Sequence, residues 1–278
     1  MAFLDTYGPW ALITGASSGL GEHYARQIAA RGLHVIVVAR RAERLRTLAQ
    51  EIQAEYGVKV LELELDLLSE NAIPRLVEKI GRRDVGLVVS NAGFGSSGPF
   101  LEQDPQMLTR MIRLNCDVPM RLLHALSPHL VRRGNGGIIQ LASTASFQCT
   151  PWMAVYGASK VFDLHLAEAL MVELGPQGID VLAVCPGHTA TEFHQVAGVT
   201  ESAMGGAAQP EDVVRQSLEL LGKKLTFVHG RANRVLTFSN RLAPRSLAAW
   251  MAGRILGKRL EIQEPEEKQA QDSSEGKS

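Results

Sequence analysis

Trp10-Ala11-Leu12-Ile13-Thr14-Gly15-Ala16-Ser17-Ser18-Gly19-Leu20-Gly21 runs from a short apolar stretch into a glycine-spaced turn, and the pattern beyond it, to about Arg31, is helical. Three glycines between a strand and a helix let the backbone approach a pyrophosphate closely. They also leave the free N–H groups and positive dipole end of the helix facing the phosphates. The spacing is G-x-x-x-G-x-G and no Lys-Ser or Lys-Thr follows, which excludes a P-loop. An ordinary tight strand-to-helix turn has the same local composition, so what surrounds the stretch must decide.

Outward from it, strands are predicted at Trp10–Thr14, Leu33–Ala39, Val58–Leu65, Val85–Ser90, Gly137–Ala142 and Ile179–Cys185. Helices are predicted between them at Leu20–Arg31, Ala42–Tyr56, Ile73–Ile80, Pro105–Arg133 and Val155–Leu174, with Gly32 and Gly175-Pro176 as stop signals. Alternation with near-continuous apolar strands predicts an α/β fold, a doubly wound, Rossmann-type parallel sheet with helices on both faces, in a single domain over 1–263. Within it, 187–209 reads as a lid, because it is long and has no core pattern. The C-terminal part, about 231–260, reads as helical, and the polar stretch 264–278 as a disordered tail.

Special residues gather at the carboxyl ends of these strands: the glycine loop after the first, Arg40-Arg41 after the second, Asp66 after the third, Asn91-Ala92-Gly93 after the fourth, Ser143 after the fifth and Pro186-Gly187 after the sixth. Open parallel sheets bind ligands on that edge, where strand order reverses.

Composition narrows the class. Lys plus Arg and Asp plus Glu number 29 each, so net charge gives no reason to expect a nucleic-acid partner. Three cysteines without paired spacing suggest reduced thiols, and with no signal-like N-terminus the expected location is cytoplasmic. The 8 histidines are scattered without ligand spacing, so no metal is expected.

Tyr156-Gly157-Ala158-Ser159-Lys160 opens a helix and puts Tyr156 and Lys160 on one face. A free Tyr titrates near pH 10, and a neighbouring ammonium lowers that value by stabilising the phenolate. Ser143 stands thirteen residues upstream, where its hydroxyl can reach a carbonyl oxygen. The second strand ends Val38-Ala39-Arg40-Arg41 with no acid before Glu43. An NAD-specific site carries Asp or Glu there, whereas Arg40 offers a fork to a 2′-phosphate, so NADPH is the expected cofactor. The competing reading makes Arg40 and Arg41 the start of a solvated helix face.

Taken in order and spacing, the glycine loop, Asp66, Asn91-Ala92-Gly93, Asn115, Ser143, Tyr156, Lys160 and Pro186-Gly187 resemble the classical short-chain dehydrogenase/reductase family. The stretch GLGEHYA and the basic, apolar C-terminal region resemble its 3-ketoacyl and 17β-hydroxysteroid reductase branch. The resemblance implies an enzyme that interconverts a carbonyl and a secondary alcohol by hydride transfer. It implies Tyr156 as general acid, Lys160 as its pKa partner and ribose ligand, Ser143 as the carbonyl's hydrogen-bond donor and Asn115 as holder of a relay water. It implies cofactor contacts from Gly15, Ser17, Ser18, Gly19, Leu20, Gly21, Asn91, Gly93, Pro186 and Gly187, from Asp66 at the adenine edge and from Thr189 at the carboxamide. The basic residue that many NADP-binding relatives carry inside the glycine loop is replaced here by Ser18.

Two other functions compete. Gly15-Ala16-Ser17-Ser18-Gly19 spells the G-x-S-x-G of a serine hydrolase, but no earlier strand–helix loop precedes it to supply an oxyanion donor. A non-catalytic dinucleotide sensor is disfavoured by the presence of Ser143, Tyr156 and Lys160 together. A fairly large apolar carbonyl or alcohol is the expected substrate, and a homodimer or homotetramer the expected assembly. Leu164, Ala167, Met171 and Leu174 fit either an intersubunit seam or a core face. Leu247, Trp250, Met251 and Ile255, with Arg245, Arg254, Lys258 and Arg259 nearby, fit a core-closing helix in preference to one lying on a membrane.

Overall fold

Seven parallel strands form one sheet in the order β3-β2-β1-β4-β5-β6-β7: β1 (Trp10–Thr14), β2 (His34–Ala39), β3 (Val60–Glu64), β4 (Val85–Ser90), β5 (Gly136–Leu141), β6 (Ile179–Cys185) and β7 (Thr226–Val228). The computed structural model describes residues 3–193, 197, 207–240 and 244–259. The order reverses between β1 and β4, and that reversal opens a crevice at the strands' carboxyl ends. Successive residues of β1 serve opposite faces. Ile13 packs with Tyr24, Ile28, Leu45 and Val213, whereas Leu12 packs with Leu76, Leu122 and Leu164.

The helices are α1 (Phe3–Tyr7), α2 (Gly19–Ala29), α3 (Ala42–Tyr56), α4 (Ala72–Ile80), α5 (Pro105–Ile112), α6 (Val118–Arg133), α7 (Ala154–Leu174), α8 (Pro210–Leu220), α9 (Arg231–Ser239) and α10 (Arg245–Arg259). The single helix expected over Pro105–Arg133 is two, joined by a widened π turn at Arg113–Asp117. Pro119, in the first turn of α6, has no N–H to give to a regular ladder, so the turn opens just before it. The short β7 and α1 and the helix α8 were not among the expected elements.

Leu164, Ala167 and Leu174 are buried in the core and Met171 packs against it, so that stripe is a core face and not a seam; Phe162 and Val172 are the exposed large hydrophobic residues of α7. The expected lid leaves and returns at one place: Thr189 and Ala208 form an isolated parallel bridge, with Ala190 N donating to Ala208 O and Ala208 N to His188 O. Residues 194–196 and 198–206 of the lid, and the tail 264–278, lie outside the described residues. The C-terminal stripe does not close the core. Leu247, Trp250, Met251 and Ile255 are exposed, while Ala252 and Gly257 face inward.

Candidate active site

Ser143 follows β5 and caps a short turn over Thr144–Phe147. Its hydroxyl accepts from Ala145 N at 3.1 Å, and Ser146 reciprocates by binding Ser143 N and donating to Lys160 O at 2.6 Å. This capping box fixes the serine and ties it to α7. Tyr156 and Lys160 stand on the first turns of α7, both buried, with Ser143 close enough to the Tyr156 phenol to pull its pKa down. Burial raises the phenol above the usual tyrosine value. Lys160 and Ser143 pull it down, Asp163 adds to the rise, and burial prevails. The downward shift expected from Lys160 is therefore present but outweighed, and the phenol is held protonated.

Asp163 was not anticipated. It is fully buried one turn beyond Lys160, and Lys160 Nζ donates to its Oδ2 at 2.9 Å and to Leu141 O at 2.8 Å. Gln140 Nε2, from β5, donates to its other oxygen at 2.8 Å. Burial pushes the Asp163 carboxyl up to about 6 against the pull of Lys160 and Gln140. Burial alone would lower the Lys160 ammonium, yet the facing carboxylate outweighs it and holds it raised. The signal was the spacing Tyr156, Lys160, Asp163, which repeats one helical face.

Asn115 lies in the widened turn, fully buried. Its Nδ2 donates to Phe94 O and to Ser159 Oγ, each at 2.9 Å, and its Oδ1 accepts from Phe94 N at 3.1 Å. Both side-chain donors are spent on joining the β4 loop to α7, which leaves the second lone pair of Oδ1 and the backbone carbonyl as acceptors.

Ser18 N-caps α2 in an extended conformation without a side-chain cap bond, so the first N–H groups of the helix have no side-chain partner. Gly15 and Gly19 have positive φ, and a Cβ on Gly21 would lie 2.2 Å from Gly15 O. This tight cradle of bare backbone donors, with arginines beside it, fits a pyrophosphate. Asn91 holds the cradle to β4, its Nδ2 donating to Thr14 O at 2.8 Å and to Gly15 O at 3.3 Å. A Cβ on Gly93 would crowd Asn115 and approach Lys160.

Arg40 lines a groove with Asp66, Glu64, Ser69 and Arg75, and Asp66 accepts from Leu68 N at 3.0 Å to shape the turn after β3. Arg41, read earlier only as the partner of Arg40, reaches over the glycine loop. It donates to Ser17 Oγ at 3.1 Å and Ser18 Oγ at 2.7 Å, filling from the side the place where the loop lacks a basic residue. Ser17 thus serves Arg41 and not a catalytic histidine. Glu192, from the segment after β6, bridges Arg41 at 2.7 Å and Arg44 at 2.5 Å; their hydrogen bonds hold its carboxyl down to about 2.

Pro186 O accepts from Thr144 N at 3.0 Å, and a Cβ on Gly187 would strike Asn233 of α9 at 2.4 Å. Thr189 is buried, its hydroxyl donating to Gly187 O at 3.1 Å. Leu20 packs against the core cluster behind the loop. Above Tyr156 lies an apolar wall that includes Met153, Phe94, Met107 and Phe193, the Phe193 ring 5.2 Å from that of Tyr156.

The family model for short chain dehydrogenase matches residues 9–201. The chain belongs to that family. It is 32% identical over 235 residues to the 7beta-hydroxysteroid dehydrogenase of Clostridium sardiniense, covering 84% of this chain and 90% of that protein. It is 31% identical over 268 residues to a very-long-chain 3-oxoacyl-CoA reductase of Phaeosphaeria nodorum, covering 93% of this chain and 76% of the other. The NADPH complex of a short-chain dehydrogenase from Sphingobium yanoikuyae superposes with a TM-score of 0.76 at 33% identity, over 84% of this chain and 94% of that one. As a short-chain dehydrogenase, this chain is a NAD(P)-dependent oxidoreductase acting between carbonyl and alcohol, in the ketoacyl and hydroxysteroid branch. No helix of its described residues is long and apolar enough to cross a membrane.

Gly157 presses the start of α7 onto Thr150, where a Cβ would lie 1.8 Å from Oγ1. Gly157→Ala is expected to cost about 1–3 kcal/mol in urea unfolding and to lower turnover by displacing the adjacent Tyr156. Adding Thr150→Ala removes the struck atom and should restore part of both.

Proposed function

We propose that this short-chain dehydrogenase is an NADPH-preferring reductase of fairly large apolar ketones, 3-ketoacyl or steroid-like, with Tyr156 as the proton donor. The observation that carries the reading is the buried Tyr156–Lys160–Ser143 group under an apolar wall at the sheet's carboxyl edge. The dinucleotide, when bound, is the source and acceptor of the hydride. Tyr156, held protonated by burial, gives its proton to the carbonyl oxygen, and Ser143 orients that oxygen by a second hydrogen bond. Lys160 has one donor left after Leu141 O and Asp163, which is available to the ribose. Asn115 keeps a relay water by its remaining acceptors. Gly15, Ser17, Ser18, Gly19, Leu20, Gly21, Asn91 and Gly93 border the pyrophosphate and ribose; Asp66 borders the adenine; Pro186, Gly187 and Thr189 border the nicotinamide.

The wall above Tyr156 supports an apolar substrate, and the hydroxysteroid and 3-oxoacyl-CoA relatives point the same way. Exposed Ile112, Met120, Phe162 and Val172 on α5, α6 and α7 support a homodimer or homotetramer.

Three measurements check this reading. Tyr156→Phe should lower kcat about 10²–10⁴-fold and leave the NADPH Kd within about twofold; near-wild-type turnover would remove Tyr156 from the chemistry. NADPH should bind at least about tenfold tighter than NADH, a difference of about 1.4 kcal/mol. Arg40→Ala or Arg41→Ala should narrow that ratio, and Glu192→Gln should widen it by removing a carboxylate from beside the phosphate; equal Kd values in the wild type overturn the preference. Finally, kcat/KM should rise as a 3-ketone substrate lengthens from about four to about twelve carbons, and a flat or falling series rejects the large pocket.

A further inference from the structure

Residues 229–260 contain no Asp or Glu and seven Lys or Arg, in a chain whose charges otherwise balance at 29 of each sign. Arg231, Arg234, Arg245 and Arg254 are exposed and form no ion pair among the described residues. A surface helix of a water-soluble domain buries its large apolar side chains and exposes its small and polar ones. Helix α10 does the reverse. Its inward side, apart from the half-buried Leu256, is small: Gly253 O accepts from Trp152 Nε1 at 3.2 Å, a Cβ on Gly257 would sit 3.1 Å from the same indole, and Ala252 is buried. Its outward side is Leu247, Trp250, Met251 and Ile255, each 46–58% exposed. Helix α9 adds Val235, Leu236 and Phe238, so these two helices carry seven of the fifteen exposed large hydrophobic residues among those described.

The face continues toward the active site. Gly98 N donates to Trp152 O at 2.8 Å, so the loop bearing Phe100 (59% exposed) and Leu101 (94% exposed) is tied to the same tryptophan that seats α10. Trp152 lies four residues before Tyr156 and holds a left-handed backbone, φ 68°, which a non-glycine residue keeps only where its surroundings demand it.

We propose that α9, α10 and the Phe100–Leu101 loop form a docking face for an anionic membrane surface, on which the enzyme lies without spanning it. Apolar side chains enter the headgroup boundary while arginines meet lipid phosphates. Arg254 already stacks on Trp250, 4.8 Å from the ring centroid, with its guanidinium beside the most interface-suited side chain of the helix. A second copy fits less well, because an isologous pair would lay the acid-free, arginine-bearing α9–α10 part of this face upon itself. The proposal deepens the reading of an apolar substrate, since a ketone dissolved in the bilayer would then enter beside Tyr156. The docking itself is read by sedimentation and not by turnover, so either idea can fail alone.

The test is co-sedimentation of the purified full chain with vesicles of phosphatidylcholine alone and of phosphatidylcholine with phosphatidylglycerol, with the mass in free solution followed by light scattering. The wild type is expected to sediment with the anionic vesicles only, and to be released as salt rises. Arg231→Gln/Arg254→Gln should weaken partitioning at least about tenfold. Trp250→Glu/Ile255→Glu should abolish it while leaving turnover of a short water-soluble ketone within about twofold. Should that apolar pair of changes fail to fold, the arginine pair carries the test alone. No sedimentation with either vesicle, equal sedimentation with both, or undiminished binding of the variants overturns the proposal. So does a Trp250→Glu/Ile255→Glu protein that binds no lipid because its wild-type parent buries this face in a dimer, seen as a halved mass.

Discussion

The Thr14–Asn91 contact sits where β1 and β4 lie side by side and the chain turns from building one half of the sheet to building the other. Thr14 Oγ1 accepts from Asn91 N at 3.0 Å and Ala92 N at 3.1 Å, while Asn91 Nδ2 returns a bond to Thr14 O at 2.8 Å. Both strands end there, and without this stitch their loops would be free to close over the crevice. With it, the glycine cradle on one side and the Gly93–Asn115 junction on the other have fixed positions. Everything proposed for the cofactor hangs from this pair.

A second constraint is electrostatic. A lysine and an aspartate buried together would each be costly alone, and the desolvation of one is offset only by the other. Gln140 and the Leu141 carbonyl complete their hydrogen bonding from β5. The pair therefore keeps Lys160 charged at the floor of the site, but part of its field is spent on Asp163. Burial of the phenol, with a small addition from Asp163, keeps Tyr156 protonated beside that ammonium, a state suited to giving a proton rather than taking one.

Strands β1, β4 and β6 were legible to the residue because β-branched and aliphatic runs there end abruptly at glycine, asparagine or proline. β7 was not, since three residues are too few to show a period. The break at Arg113–Asp117 was hidden inside a continuous amphipathic pattern, with Pro119 as its sole mark. Tyr156, Lys160 and Ser143 declared themselves by spacing and strand-end placement. Asp163 shared that spacing, yet a lone acid on a helix reads as solvated until burial is known. Arg41 escaped for a different reason: the direction of a side chain at a helix start depends on the neighbouring loop, and only the fold brings Ser17 and Ser18 beneath it. The outward face of α10 escaped because an apolar stripe has the same period whether it meets a core or nothing.

The bridge between Thr189 and Ala208 separates the span between them from the sheet in a mechanical sense. Both ends are clamped to one another beside β6, so a change in length between the clamps leaves the sheet in place, while Glu192 and Phe193, just past the first clamp, carry the span's contacts to Arg41, Arg44 and Tyr156. Loop-closure entropy grows only slowly with length. The span can therefore be exchanged as a cartridge, letting descendants of one scaffold acquire new substrate walls by recombination while Ser143, Tyr156 and Lys160, all outside it, keep their places after β5 and on α7.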